Sequence, residues 1–364
     1  MKAIITALFL LLNVTTYAQN NSSVNLQYVI DTFIVNNKIP AIAVAVVQLD
    51  TVIYAVSGVN STVNGTLIST SAKFHLGSNS KAITSFMAAK LVEEGKLAWD
   101  TQLVDIIPEL KTTIHPKFQH ITLEQLLSHT AGMKAYTAAS EFAKLPDFKG
   151  TIQKQRLSLV QYSLTNDTIL TVGNYSYSNL GYVIAASMLE HVTRKTWEEQ
   201  LQETFKTNSF GSFFIGFPNK EIKTNPWGHS MLTDTLQTQS PNFNYDLSIV
   251  APAGDISMNI MDYSKFVQLH LQGISGRNNY LKADTYQKIH FGIEKYAFGW
   301  GNGKSLNGLV STHNGSAGNF YAHTMIYKEK KIAFIVIANA SSPSTDKAVL
   351  QLRRYLFDLY NTIK

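Results

Sequence analysis

A chain of 364 residues with 45% hydrophobic and 15% charged residues is long enough to bury a large core and too apolar to be disordered. It contains no cysteine, which excludes disulfides, thiolate metal sites, a cysteine nucleophile and a lipid-modified cysteine. The net charge is +6, but the basic residues are scattered rather than striped, so a nucleic-acid interface is not expected.

In chain order, residues 1–18 read as a secretory signal peptide. Lys2 carries the charge, Ile4 to Val14 is almost wholly apolar, and Thr16-Tyr17-Ala18 forms a small-residue cleavage site. About eleven apolar residues are too few to span a bilayer, which takes roughly 20. An uncleaved anchor is the alternative, and in either case the body is expected outside the cytoplasm, in the periplasm or secreted. No later segment reaches membrane-spanning length, and the body is expected to have no integral membrane segment once the signal is cleaved.

Residues 19–364 read as one domain. Leu26, Val29, Ile30 and Phe33 lie at helical spacing, and Ala41 to Gln48 with Thr51 to Ser57 reads as a β-hairpin around Leu49-Asp50. Ser80 to Glu94 reads as a helix stopped by Gly95. Residues 98–249 are mostly helical text with long loops. Leu123 to Leu127, Leu157 to Leu164 and Gly181 to Val192 are helix candidates, and 205–245 reads as extended surface loops. Met261 to Leu271 is a helix with Met261, Tyr263, Phe266 and Leu269 on broadly one side. Tyr296 to Trp300, Tyr321 to Tyr327 and Ile332 to Ala338 read as strands, Lys328 to Lys331 as a hairpin turn, and Thr345 to Tyr360 as a closing helix. Strand text at both ends around a helical middle predicts an α/β lobe (about 24–97 and 250–364) with an inserted helical lobe (about 98–249).

Three short motifs carry candidate chemistry. In Ser78-Asn79-Ser80-Lys81, a serine at the first helical turn shares a face with a lysine three residues on. A desolvated lysine loses its proton more readily and becomes a base for the hydroxyl, while the helix N-terminus favours negative charge beside the serine. A plain N-cap is the other reading. Ser344–Lys347 has the same spacing and reads as an N-cap with a solvated lysine. In Tyr177-Ser178-Asn179, a phenol able to shuttle a proton and an amide able to hold a substrate amide face one cleft; aromatic packing with an Asx turn is the alternative. In His313-Asn314-Gly315-Ser316, the imidazole can donate to a substrate or to the tyrosine. The Ser316 N–H can join that of Ser78 in an oxyanion hole, and a histidine in a β-turn is the alternative. His75–Gly77 and His290–Gly292 also match His-x-Gly.

Taken together, in this order, the motifs resemble the serine β-lactamase and penicillin-binding superfamily, in the branch of class C β-lactamases, D-amino-acid peptidases and related esterases. The resemblance covers nearly the whole mature chain. It rests on FHLGSNSKAIT, LLSHTAG, YSYSNLGY, APAGDISMNIMDYSKF and HNGSAG. It implies an α/β (α+β), β-lactamase/transpeptidase-like fold, with an antiparallel sheet flanked by helices. It implies that Ser78 forms an acyl-enzyme and that Lys81 and Tyr177 share the base role, with Tyr177 protonating the leaving group. Asn179, His313, Gly315 and Ser316 would then contact substrate, with the Ser78 and Ser316 N–H groups as the oxyanion hole. No cofactor or metal is implied.

One departure matters: no Lys-[Ser/Thr]-Gly triplet occurs, and His313 stands where its lysine would be. A neutral imidazole binds a carboxylate less well than an ammonium, which shifts the expectation from β-lactams toward other amides and esters of small substrates, led by D-amino-acid peptides such as peptidoglycan fragments. The alternatives are a carboxylesterase of the same fold and a non-catalytic cell-wall binding protein. His115 and His120 lack a metal-ligand pattern. His129, in Ser128-His129-Thr130, reads as a turn lock near the cleft. Trp227 reads as either a cleft wall or part of a loop core.

Overall fold

Alternation of small and large apolar residues sets the centre of the fold. In Ala41–Gln48 every residue but Gln48 is buried, so both faces of this strand are covered. Ile42, Val44 and Val46 point into one cluster, and Ala41, Ala43, Ala45 and Val47 into another. The computed structural model describes residues 25–361 apart from 64, 167–169, 233–234 and 240–245; the expected signal peptide lies outside the described residues.

Six antiparallel strands form the main sheet: β1 (Ala41–Gln48), β2 (Val52–Gly58), β3 (Gly301–Ser305), β4 (Gly308–Ala317), β5 (Phe320–Tyr327) and β6 (Ile332–Ala338), in the order β2-β1-β6-β5-β4-β3. The β1–β6 pairing, with Val44 opposite Val336, joins the two ends of the sequence. On one face, Leu26 and Ile30 of helix α1 (Leu26–Asn37) and Val349, Leu352 and Leu356 at the C-terminal end of the chain meet Val44, Val46, Phe334 and Val336. Alanines on the opposite face leave room for the helices of the second layer.

That second layer holds α2 (Ser80–Glu93), α3 (Ile152–Asn166), α4 (Asn179–Thr193) and α5 (Ile260–Ile274), with α6 (Pro343–Asn361) closing the other face. Ser80 to Ala89 of α2 and Leu180 to Glu190 of α4 are buried without interruption. A helix buried all round has no polar stripe, which is why α2 lacks amphipathic text. Arg156 of α3 is fully buried and pairs with Glu190 of α4 at 2.7 Å and with Glu198 of the next helix, tying three helices together.

Several expectations change. Tyr296 to Trp300 is not a strand: only Tyr296 makes an isolated bridge, to Gly301, and Gly299 turns the chain at φ +78°. The strand begins at Gly301, in text that reads as a turn. Residues 205–245 are not all loop: Phe213–Ile215 pairs with Ile256–Asn259, which also pairs with Lys73–His75, and His229–Leu232 pairs with Thr235–Thr238. Met261 is exposed rather than on the buried face of α5. The N-terminal hydroxyl of α6 comes from Ser342, which accepts the Thr345 N–H at 3.1 Å; Ser344 bonds the Ser342 hydroxyl instead. Isolated turn and strand text is ambiguous because partner strands, not local pattern, satisfy the backbone.

Candidate active site

The chain enters α2 through a single 3₁₀ turn, Gly77–Asn79, which carries the half-buried Ser78. The two residues inside Ser78-x-x-Lys81 hold this turn. Asn79 donates to the carbonyls of Leu76 at 3.1 Å and Ala322 at 3.3 Å and accepts from the Tyr263 hydroxyl. The Ser80 hydroxyl donates to the Gly77 carbonyl at 2.8 Å and accepts the Ile256 N–H at 3.2 Å. Both side chains are fully buried, so the motif's interior is fastened to β5, α5 and the strand at 256–259.

Lys81 is fully buried, and burial holds its amine well below the ordinary lysine range. Its Nζ lies 2.6 Å from Asn179 Oδ1, 2.7 Å from the Ala253 carbonyl and 3.3 Å from Ser78 Oγ. A neutral amine has two N–H donors and one lone pair. The two short contacts are to groups that can only accept; a neutral amine giving its two N–H bonds to them would turn its lone pair toward the Ser78 hydroxyl.

Tyr177 arrives from the segment leading into α4. Its position is set by the Ser128-His129-Thr130 turn, where His129 takes φ +62°. The His129 carbonyl accepts the Ser176 N–H at 2.8 Å, and its Nδ1 accepts the Ser178 N–H at 3.1 Å, so Tyr177 is bracketed on both sides. Ser178 caps α4 through Gly181. The Tyr177 ring lies 4.7 Å from Lys81 Nζ, and its phenol is near enough to Ser78 for the serine to oppose part of the desolvation. Desolvation nonetheless raises the phenol above its ordinary range, which keeps it protonated at neutral pH. Asn179 gives its oxygen to Lys81 and an amide hydrogen to the Tyr136 carbonyl at 2.7 Å. Its described contacts therefore hold the Lys81 amine in place.

The wall facing Ser78 is β4. Strand β3 reaches only as far as Thr312, which leaves the His313–Ala317 edge open, and the Gly77–Asn79 turn docks there. Two glycines permit the approach. Gly77 has φ +52°, and a Cβ on it would sit 2.6 Å from the Ser316 nitrogen. A Cβ on Gly315 would collide with the Leu76 carbonyl and sit 2.8 Å from the Ser78 nitrogen. The backbone nitrogens of Ser78 and Ser316 are thereby brought side by side. His313 lies within the strand, not in a turn, and is buried. Its Nε2 is 3.0 Å from the Tyr296 hydroxyl and its Nδ1 2.8 Å from the Asn314 carbonyl. Since a carbonyl only accepts, Nδ1 carries the proton and Tyr296 donates to Nε2. Burial, followed by the field of Lys81, pushes the His313 imidazole down to about 3, so it is neutral across the physiological range.

All seven sequence-named residues thus meet around one cleft. The profile of the Beta-lactamase family matches residues 26–357. The chain belongs to the β-lactamase family. Among its relatives, Protein flp of Staphylococcus aureus is 21% identical over 306 residues, covering 81% of this chain. The chain spans 59% of that relative's length. Penicillin-binding protein 4 of Amycolatopsis lactamdurans is 22% identical over 301 residues, covering 78% of this chain and 76% of the relative. Among solved structures, the octameric penicillin-binding protein homologue from Pyrococcus abyssi superposes with a TM-score of 0.72 at 19% identity, over 91% of this chain and 76% of the other. A class C β-lactamase from Rhodobacter sphaeroides gives 0.71 at 17% identity, over 91% and 98%. The resemblance read from the motifs and the mixed fold with antiparallel sheets flanked by helices agree with these matches.

Within this β-lactamase-family fold, sequence reasoning missed Tyr296, the partner of His313, and Ala253, whose carbonyl holds Lys81. Tyr296 sits in Tyr-Ala-Phe-Gly-Trp, an apolar run with no chemical signature, and a backbone carbonyl leaves no signature at all. The remaining candidates fall elsewhere. His115 accepts the Lys117 N–H and His120 pairs with Gln102. Trp227, half-buried, donates its indole N–H to the Lys223 carbonyl. Lys347 is exposed.

Proposed function

We propose that this β-lactamase-family protein is a serine hydrolase that forms an acyl-enzyme on Ser78, with Lys81 as the base. The observation that carries the reading is the buried Lys81 amine. Two acceptors use its N–H bonds, and its third neighbour is the Ser78 hydroxyl. Ser78 Oγ attacks a substrate carbonyl carbon as its proton passes to Lys81 Nζ. The oxyanion forms against the N–H groups of Ser78 and Ser316. Tyr177, kept protonated by desolvation, relays the proton to the leaving amine or alcohol rather than acting as a phenolate. The C–N or C–O bond breaks, and water then hydrolyses the acyl-serine ester.

The substrates we infer are small amides and esters, with D-amino-acid peptides as the leading class. The neutral His313–Tyr296 pair, where a Lys-[Ser/Thr]-Gly lysine would supply a cation, supports substrates without a free carboxylate at that position. The same observation favours carboxylesterase activity as the second reading. The signal-like text of residues 1–18 supports export, to the periplasm or beyond.

Mass spectrometry after exposure to a fluorophosphonate or a penicillin tests the mechanism. A covalent adduct on Ser78 is expected, absent in Ser78→Ala. Unchanged hydrolysis by Ser78→Ala would end the proposal. A panel of nitrocefin, D-Ala-D-Ala peptides, D-amino-acid amides and p-nitrophenyl esters separates the substrate classes. Cleavage of short esters alone, with D-amino-acid amides untouched, selects the esterase.

A further inference from the structure

Three His-x-Gly stretches occur in this chain, and the one at His75-Leu76-Gly77 leads directly into Ser78. His75 is fully buried and Asp255 nearly so. His75 Nε2 lies 2.9 Å from Asp255 Oδ1, and the Gly77 N–H donates to His75 Nδ1 at 3.1 Å. The second contact settles the tautomer: an Nδ1 that accepts is unprotonated, so the ring proton is on Nε2 and is donated to Asp255. Phe217 packs against the ring, with centroids 4.8 Å apart and planes tilted by 31°.

The Gly77 N–H sits at the mouth of a short 3₁₀ turn, where a backbone donor has no partner within the turn. Left unpaired and buried, such a donor is costly. Gly77 also takes the left-handed conformation. His75 and Asn79 hold the peptide before it, through the Gly77 N–H and the Leu76 carbonyl, and Ser80 holds the peptide after it through the Gly77 carbonyl. That second peptide carries the Ser78 N–H. Asp255, from the far side of the chain, orients the imidazole. Its backbone carbonyl accepts the Gly216 N–H at 2.8 Å, and the following Ile256 carbonyl accepts the Leu76 N–H at 2.9 Å.

We infer that the buried His75–Asp255 pair is a positioning device for the nucleophile: it locks the Gly77 peptide so that the Ser78 hydroxyl and N–H keep the alignment that acylation requires. The pair touches no reacting atom, and the inference rests on Ser78 being the nucleophile. Asparagine and glutamine at position 75 separate the two halves of the device. Asparagine places its amide oxygen near where Nδ1 accepts the Gly77 N–H but does not reach Asp255. Glutamine reaches Asp255 but offers nothing to Gly77.

The test is steady-state hydrolysis of a p-nitrophenyl ester by the full chain carrying His75→Leu, His75→Asn or His75→Gln, with fluorophosphonate labelling of the wild type as the reference. A misplacement of the order of 1 Å costs about 10²-fold in rate. His75→Leu and His75→Gln are therefore expected to lower kcat by roughly 10–100-fold with KM nearly unchanged, and His75→Asn to recover most of the loss. Equal kcat for the asparagine and glutamine variants, or a folded His75→Leu with wild-type kcat, overturns the inference. Should His75→Leu fail to fold, the asparagine–glutamine comparison decides alone. Wild-type protein that hydrolyses the ester without labelling at Ser78 instead overturns the nucleophile assignment, and the inference falls with it.

Discussion

Asn179→Asp places a carboxylate against the base without changing the shape of the site. Asn179 Oδ1 is 2.6 Å from the fully buried Lys81 amine, whose two remaining neighbours are uncharged. At an effective dielectric constant of about 20, opposite unit charges at that distance attract by roughly 6 kcal/mol. Part of this is spent on desolvating the new carboxylate, and paired groups at such range typically move by about 1–3 pKa units. The attraction favours the ammonium, so the Lys81 pKa rises. The base form is the neutral amine, so at a pH below the original Lys81 pKa its population falls by the same factor, about 10–10³, and at a pH between the two values by less. The acylation rate at pH 7 is expected to fall accordingly. The alkaline-rising limb of its pH profile is expected to move up by about 1–3 pH units, with the rate recovering at high pH. Stopped-flow acylation by a chromogenic ester between pH 6 and 10 measures this directly. The variant also loses the hydrogen bond to the Tyr136 carbonyl, but a loss of stability lowers the whole profile and does not displace the limb. A variant whose rate drops at every pH with the limb unmoved would refute the assignment of that limb to Lys81.

Further outcomes follow from the same geometry. Gly315→Ala drives a Cβ into the Leu76 carbonyl and toward the Ser78 nitrogen. Backbone atoms cannot yield as a side chain does, so a loss of about 1–3 kcal/mol in urea unfolding is expected, together with a fall in acylation of at least about 10²-fold; wild-type acylation would show that the strand and the turn are not in close register. Tyr296→Phe leaves His313 Nε2 without its donor. It should cost about 1–3 kcal/mol in the same assay while Ser78 still labels, and unchanged stability would disprove the bond. His270, His313 and His323 are each pushed down to about 3 by burial. The unfolded chain therefore binds these protons first, near pH 6.5, so stability is complete above that pH and is lost as the pH falls toward 3. Each contributes a slope of roughly 1.4 kcal/mol per pH unit. Burial raises Glu190 and Asp346, which oppose this slope at the acid end. Urea midpoints should fall between pH 6.5 and pH 5, and a flat profile there would contradict the burial of these rings.

The sequence by itself determined the order of the chemistry: a Ser-x-x-Lys at the mouth of a helix, then Tyr-x-Asn, then His-x-Gly, each readable because the spacing lies within one turn or one strand. It also pointed to the pairing of the chain's two ends, since strand text stands at both, and β1 does lie beside β6. What it left open was partnership. Ser78 and Ser344 head the same four-residue spacing, yet only Lys81 is buried among acceptors, because α2 runs through the interior while α6 lies on the surface. The histidines at 75 and 313 share a motif, yet one accepts a peptide N–H beside Ser78 and the other accepts a hydrogen bond from Tyr296. Their partners, Asp255 and Tyr296, are 180 and 17 residues away, and local periodicity carries no record of such pairings. Burial and the direction of each hydrogen bond are properties of the packed chain, and they are what set Lys81, enclosed among acceptors, apart from Lys347 at the surface.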